Sequence, residues 1–348
     1  MERKIINKES TSVGKTRGHN DDSIYIGEDY AAVIDGVSHK SSVKTEKGEI
    51  KIAQIITKAI EKIDGTAFAE ILEFDEFVKY VNRFVANFLE KHNMPDKIGK
   101  MEATGVIYSR HKNQIWLVGD CRAICDGKVI KNPLKIDDVV VDIRIKLVQA
   151  LMEAGYTEEE LGKTDISKEI IKNPSLLPIY IKNKKTQEKI TKFRTKRIKQ
   201  ALLECGFTDK DIEELDLINI YYNPRTLQAF LKNNPDAGEY GYAIFNGKYT
   251  ETKNCVVEQL PDDIHTIKLF SDGFSIDSLT KDSDVGAALR TMWTKAKEDP
   301  LSLKENKATH PSKPYSNLAA EERATDDRSA VIIEIRNKNK DKDVEERE

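Results

Sequence analysis

From about residue 137 to about residue 237 the chain changes texture. Short β-branched runs give way to stretches rich in Lys, Glu, Ile and Leu at helical spacing, and within them the sequence repeats itself. The run Gln-Ala-Leu-Met-Glu-Ala-Gly-Tyr-Thr-Glu-Glu-Glu-Leu at 149–161 matches Gln-Ala-Leu-Leu-Glu-Cys-Gly-Phe-Thr-Asp-Lys-Asp-Ile at 200–212, position by position, at an offset of 51 residues. The match continues between 171–183 and 221–233, each copy carrying an Asn-Pro pair at 173 and 223. Gly155 and Gly206 each follow a helical run and precede a Thr with acidic residues, the order of a C′ glycine and the N-cap of a next helix. Two copies of a helix-turn-helix unit of about forty residues are expected. Strand texture stands on both sides. The expected organisation is therefore a discontinuous domain of 1–136 and 238–336, an all-α insertion of 137–237 with two repeats, and a charged, solvated tail of 337–348.

Outside the repeat, residues 22–26 and 30–34 are short apolar runs that end in polar or glycine turns, a hairpin-like pair closing at Asp35-Gly36. Runs at 104–108, 114–118 and 122–125, the last closed by Asp126-Gly127, read as an antiparallel meander. Further strands are expected at 240–245, 265–270 and 329–335, with a helix over 285–297 before the last. Between the first strands and the meander, Ile52, Ile55, Ile56, Ala59, Ile60 and Ile63, then Phe74, Phe77, Val78, Val81, Phe84, Val85 and Phe88, recur at three and four. They predict two helices that each bury one face on something flat.

Charge and cysteine usage exclude several classes. Lys plus Arg total 56 against 59 Asp plus Glu, a formal net charge of -3, so no global basic field draws the chain to nucleic acid. The Lys-rich run at 182–199 is read as a solvated helix face, and no nucleic-acid partner is expected. Cys121, Cys125, Cys205 and Cys255 form no Cys-x-x-Cys pair and read as free thiols of a reducing compartment. Residues 1–10 are charged, with no apolar leader, and no run of about 18 uncharged apolar residues occurs. A cytoplasmic protein with no membrane partner is the expectation.

Three aspartates stand where an apolar strand meets a turn: Asp35, Asp272 and Asp327. A carboxylate there is costly to bury unless a cation offsets it, and hard divalent ions, which take oxygen ligands, are the natural partners. Asp-Gly alone is weak evidence, being also the commonest hairpin turn, and Asp126-Gly127 is read as only that. A fourth motif, Arg-Gly-His-Asn-Asp-Asp-Ser at 17–23, sets Arg17 shortly before Asp21 and Asp22, a bidentate phosphate clamp beside carboxylates.

In order along the chain, the 17–23 motif, Asp35-Gly36, Ala103-Thr104-Gly105, Val118-Gly119-Asp120 with Arg122-Ala123, Ser271-Asp272-Gly273 and Asp326-Asp327 resemble the motifs of the metal-dependent protein phosphatases of the type 2C class, over about residues 10–133 and 240–335. The resemblance implies an α+β fold, a β-sandwich of two antiparallel sheets flanked by helices, with the metals in a cleft at one end of the sheets. It implies Mn²⁺ or Mg²⁺ as cofactor. Asp35 would bridge two ions, the Gly36 carbonyl would join one, Asp272 and Asp327 would complete the shell, and Asp120 would help to hold a third. Asp21 and Asp22 would orient water, and Arg17 would grip the phosphate. The implied activity is hydrolysis of phosphoserine and phosphothreonine in proteins without a covalent phospho-enzyme, in bacterial signalling. The partner is then a phosphorylated protein, with substrate or a regulator docking on 137–237.

The chain departs from the family at three positions. Val37 stands where many members have a His, with His39 two residues on; Ile276 stands where an Asp is usual, with Asp277 one position late; Arg328 follows Asp327 in place of Asn. The general acid is thereby unassigned and the third ion is open. A rival reading is a pseudophosphatase that serves as a binding scaffold through its repeats, and the alternative to docking for the repeats is a structural cap over the cleft.

Overall fold

A computed structural model describes residues 3–13, 20–37, 41–45, 48–157, 160–161, 166–272 and 328–337. They fall into two compact units, one running to Asn132 and resuming at Ala243, the other Pro133–Tyr242.

The first unit contains two five-stranded sheets in which every pairing is antiparallel. One has the order β1 (Arg3–Val13), β12 (Arg328–Asn337), β11 (Thr266–Phe270), β8 (Arg122–Cys125), β9 (Lys128–Lys131). The other has the order β10 (Val256–Gln259), β7 (Gln114–Val118), β6 (Ala103–Ser109), β3 (Tyr30–Gly36), β2 (Ser23–Ile26). A small hairpin, β4 (Ser42–Thr45) with β5 (Gly48–Lys51), stands beside them.

Side-chain alternation explains the layering. Ala31 and Val33 of β3 join Val106, Leu117, Leu269, Val331 and Ile333 in an apolar layer shared by both sheets. The intervening Tyr30, Ala32 and Ile34 face the other way, under α1 (Ile52–Ile63) and α3 (Phe74–Lys91), which precede and follow the short α2 (Ala67–Ile71). A strand covered on both faces reads as a continuous apolar run, which is why β3 carries no polar residue before Asp35. The predicted helix stripes are those that pack: Ile52, Ile56, Ile60, Phe77, Val81 and Val85 are wholly buried, each contributing about 1.5–3 kcal/mol. The result is the α+β sandwich that the sequence leads one to expect. Asp126-Gly127 is a hairpin turn, both residues at positive φ (44° and 86°), and the Asp126 carboxylate accepts the amides of His265 and Thr266 at 3.0 and 2.8 Å.

Two expectations are corrected. Residues 240–245 form no strand; the chain makes only isolated bridges there, Tyr242 with Lys232 and Phe245 with Ala103. Successive backbone groups bond to different partners, Tyr242 N–H to Leu231 O and Phe245 N–H to Ala103 O, so no ladder develops despite the apolar run. Conversely the polar segment 3–13, not anticipated as a strand, pairs along its length with β12. It lies at a sheet edge, where charged residues are tolerated and guard against further pairing. The helix expected over 285–297 lies outside the described residues.

The second unit is helical: α4 (Lys135–Glu153), α5 (Ile166–Lys172), α6 (Leu177–Tyr180), α7 (Lys184–Glu204), α8 (Asp209–Glu214), α9 (Leu217–Ile220) and α10 (Pro224–Leu231). The sequence repeat is repeated geometry. Tyr156 N–H reaches Leu151 O and Phe207 N–H reaches Leu202 O, both at 3.1 Å, closing α4 and α7 through Gly155 (φ 101°) and Gly206 (φ 94°). Thr157 with Glu160, and Thr208 with Asp211, then exchange reciprocal hydroxyl and carboxylate caps. The aromatic contact recurs too, Tyr156 with Tyr180 at 6.4 Å and Phe207 with Phe230 at 6.1 Å between ring centroids. Thr208→Ala should cost about 1 kcal/mol, and Thr157→Ala a like amount, in the urea unfolding of the helical unit. A loss confined to one copy would show that the two caps are not energetically equivalent.

Among the described residues no helix is long and apolar enough to cross a membrane. All four cysteines are free thiols.

Candidate active site

Antiparallel pairing brings the predicted acidic residues to one end of the sandwich. β2 begins where β3 ends and β6 begins, and β7 ends beside it. In the other sheet β8 and β12 begin where β11 ends. Asp21 and Asp22 immediately precede β2, Asp35 and Gly36 close β3, Asp120 lies between β7 and β8, and Asp272 is two residues past β11. Arg17, Asp326, Asp327, Gly273, His39, Ile276 and Asp277 lie outside the described residues.

The β2–β3 ladder ends with Ser23 opposite Ile34, so Asp22 immediately precedes it on one strand, Asp35 immediately follows it on the other, and Asp21 comes up against Gly36. Gly36 is needed for that approach. A Cβ on it would lie 2.6 Å from the backbone oxygen of Asp21 and 2.7 Å from the Ser41 side chain. On the other side Asp35 pairs with Thr104 of β6, and the Gly119 turn (φ 87°) packs so closely on Thr104 that a Cβ there would come within 2.3 Å of the Thr104 methyl. Asp120 thus follows a turn that only glycine makes readily.

A buried thiol reports the convergence. Cys121 is fully enclosed and 3.5 Å from the Thr104 hydroxyl. Its pKa is pushed well above the usual thiol range by burial first, then by the negative charges of Asp35, Asp120 and Asp272, with the Thr104 hydrogen bond acting the other way. Three carboxylates from both sheets therefore act on one point. Asp21 and Asp22 add two more, 3% and 6% exposed.

A polar chain ties the sheets together at this end. Ser271 N–H donates to Ser329 O at 3.0 Å, and Ser329 N–H returns to Ser271 Oγ at 2.9 Å. The Ser329 hydroxyl meets that of Ser12 at 2.6 Å, Asn20 Nδ2 donates to Ser12 Oγ, and Asn20 Oδ1 accepts from Asp22 N–H at 2.9 Å. Lys51, from the end of β5, donates to Asn20 O at 2.7 Å and stands 3.4 Å from Glu49 and 3.9 Å from Asp21. Sequence reasoning missed Lys51 and Ser12. Ser12 faces Ser329 by strand register, and nothing in a one-dimensional pattern reveals a partner more than 300 residues away.

These residues suit a hard divalent cation in donor chemistry, being carboxylates with one glycine carbonyl, while the neighbouring thiol of Cys121 is buried. Among the described residues no three His, Cys, Asp or Glu side chains close into a preformed metal cluster, and the set lacks Asp327, which is not described. Val37 donates its N–H to Glu102 O at 3.0 Å and offers no side-chain proton.

No protein-family model matches the chain, and no curated protein sequence does. Among solved structures the chain is similar to the serine/threonine phosphatase PstP/Ppp of Mycobacterium tuberculosis, at 15% identity and a TM-score of 0.39, covering 95% of this chain and 98% of that one. A second structure of PstP's catalytic domain, in complex with two manganese ions, is similar at 13% identity and 0.39, covering 97% and 100%. Stp1, a serine/threonine phosphatase of Staphylococcus aureus, is similar at 10% identity and 0.41, covering 95% of each chain.

Proposed function

We propose that the chain is a metal-dependent serine/threonine protein phosphatase, with 1–136 and 238–336 as its catalytic domain. The observation that supports this is the convergence of Asp35, Asp120 and Asp272, carried on strand ends of both sheets, on the buried Cys121, with Asp21 and Asp22 beside them. So much negative charge at one end of an apolar sandwich is unfavourable without cations.

Asp35, the Gly36 carbonyl, Asp272 and Asp327 would hold two Mn²⁺ or Mg²⁺ ions, and Asp120 would contribute to a third. When bound, such ions neutralise phosphoryl charge and acidify water. Asp21 and Asp22 orient water through their acceptor oxygens, held in place by the Asn20–Ser12–Ser329 chain and by Lys51. Arg17 grips the phosphate. Cys121, enclosed and held protonated, takes no part as a nucleophile. The substrate class is phosphoserine or phosphothreonine in a protein, in cytoplasmic bacterial signalling, with the 137–237 insertion as a docking module.

The test is Mn²⁺-dependent turnover of p-nitrophenyl phosphate by the native chain and by Asp272→Ala. A rate that needs the ion and falls by at least about 100-fold in the variant is expected. Equal background rates in both would sink the enzyme reading and leave the scaffold reading in its place.

A further inference from the structure

The second helical repeat carries a feature that its fold does not require. On α7, Lys185, Lys189, Lys192 and Lys196 are all exposed and recur at four, three and four. They form one stripe over about 16 Å of helix. Ile190, Ile198, Ala201 and Leu202 are buried on the opposite face. Among the described residues none of the four lysines is in an ion pair, although Arg197 pairs with Asp142 and Lys199 with Asp209 nearby. Glu188 alone flanks the stripe. Like charges at such spacing oppose helix formation, and a merely solvated face would alternate signs.

The first copy is an internal control. At the offset of 51 residues, the same positions hold Leu134, Asp138, Val141 and Ile145. The shared turns, caps and ring contacts therefore form without a lysine row.

We infer that the α7 lysine stripe is a docking surface for an acidic segment of a protein, and, resting on the phosphatase reading above, that this segment belongs to the phosphoprotein substrate. The side chains favour an acidic polypeptide over nucleic acid. Nucleic-acid surfaces recruit Arg forks and stacking aromatics. Here Arg197 is engaged with Asp142, Arg194 is half-buried, and Phe193, the aromatic of α7, packs into the apolar core of the unit. Lysines alone give salt-sensitive, geometry-tolerant attraction to carboxylates. Because dock and catalytic site belong to one chain, holding the segment raises the effective concentration of its phosphorylated residue.

The experiment uses the full chain and a fluorescein-labelled, unphosphorylated Glu- and Asp-rich peptide read by anisotropy. Charge reversal at all four positions (Lys185→Glu, Lys189→Glu, Lys192→Glu, Lys196→Glu) should weaken binding by at least about tenfold. The matched Lys→Arg set should retain binding, and high salt should weaken the native chain. A quadruple Lys→Gln set, checked by circular dichroism, replaces the reversal should the latter perturb the helix. Unchanged binding in a folded variant overturns the dock, as does tighter binding of a single-stranded oligonucleotide than of the peptide. With a phosphoserine peptide carrying an acidic run, the reversed chain should show a KM raised by about tenfold while its kcat/KM for p-nitrophenyl phosphate stays native. An unchanged KM overturns the assignment to substrate. Absence of p-nitrophenyl phosphate turnover in the native chain removes the enzyme reading and the substrate with it, while the anisotropy still decides whether the stripe binds acidic protein.

Discussion

Asp35→Asn should lower Mn²⁺-dependent phosphatase turnover on the order of 10³-fold while leaving the protein at least as stable as the native chain without metal. The two halves of that expectation have one cause. Asp35 lies at the end of a strand buried on both faces, with Thr104 across the β6 register, Asp21 and Asp22 just ahead of the neighbouring β2, and the charges of Asp120 and Asp272 acting on the same buried thiol. Asn keeps the shape and the backbone ladder but removes one of several like charges, so repulsion at that end of the sandwich falls. On the proposed function, what is lost is a carboxylate that would hold the divalent ions. Thermal melts give a readout independent of turnover. The native Tm should climb with Mn²⁺, since a ligand at 100 times its Kd stabilises by about 2.7 kcal/mol, whereas the variant's Tm should barely respond. A variant that keeps both the rate and the Mn²⁺-dependent Tm rise would remove Asp35 from the centre of the site.

How far such a site could be foreseen differs residue by residue. Asp35 and Asp272 stand out because each closes or follows an apolar run, and the pattern of a strand ending in a carboxylate survives in one dimension, whereas Asp120 stands out only through the resemblance of its motif; Asp327 lies outside the described residues. The α1 and α3 stripes were visible for the same reason, as helical period is a local property. Residues 240–245 misled because apolar, aromatic composition signals burial as strongly as it signals a strand. Tyr240, Tyr242, Ala243, Ile244 and Phe245 are all buried, but their backbone bonds are spent on separate partners. β1 was invisible because an edge strand needs no apolar alternation, and its pairing with β12 joins opposite ends of the chain. Ser12, Asn20 and Lys51 matter through hydrogen bonds that exist only once both sheets have formed.

The duplicated helical unit shows the complementary case, in which sequence carries nearly everything. Gly155 and Gly206, Thr157 and Thr208, Tyr156 and Phe207 announce turn, cap and ring contact in the same order, and each appears in both copies at matching distances. Local hydrogen bonds close within six residues, so no distant partner is needed to specify them. The copies differ on α7, where Lys185, Lys189, Lys192 and Lys196 stand exposed, whereas the matching positions of the first copy hold Leu134, Asp138, Val141 and Ile145, of which Leu134 is buried.

Trp116→Ala should destabilise the sandwich unit by about 3–5 kcal/mol, the largest single-site loss expected outside the acidic end. Trp116 is wholly buried on β7, with ring centroids of Phe77, Phe74 and Tyr30 at 5.0, 5.7 and 6.1 Å, and its indole N–H donates to Gln114 Oε1 at 2.9 Å. It joins β7 to α3, beside the contact of Phe77 with Tyr30 of β3 at 5.7 Å. Truncation leaves a cavity among three rings that strand and helix backbones prevent from collapsing, so the transfer loss and the cavity loss add. Trp116→Phe, which keeps an aromatic face but not the second ring, should cost clearly less. Ile71→Ala, at a side chain 67% exposed, should stay within about 0.5 kcal/mol and serve as the control. Urea unfolding followed by circular dichroism separates these values. A Trp116→Ala loss below about 1 kcal/mol would mean that α3 is held to the sheet elsewhere. Because β7 leads through Val118 and Gly119 into Asp120, activity should fall in proportion to the unfolded fraction and recover on cooling, whereas the loss in Asp35→Asn should persist at every temperature at which the chain is folded.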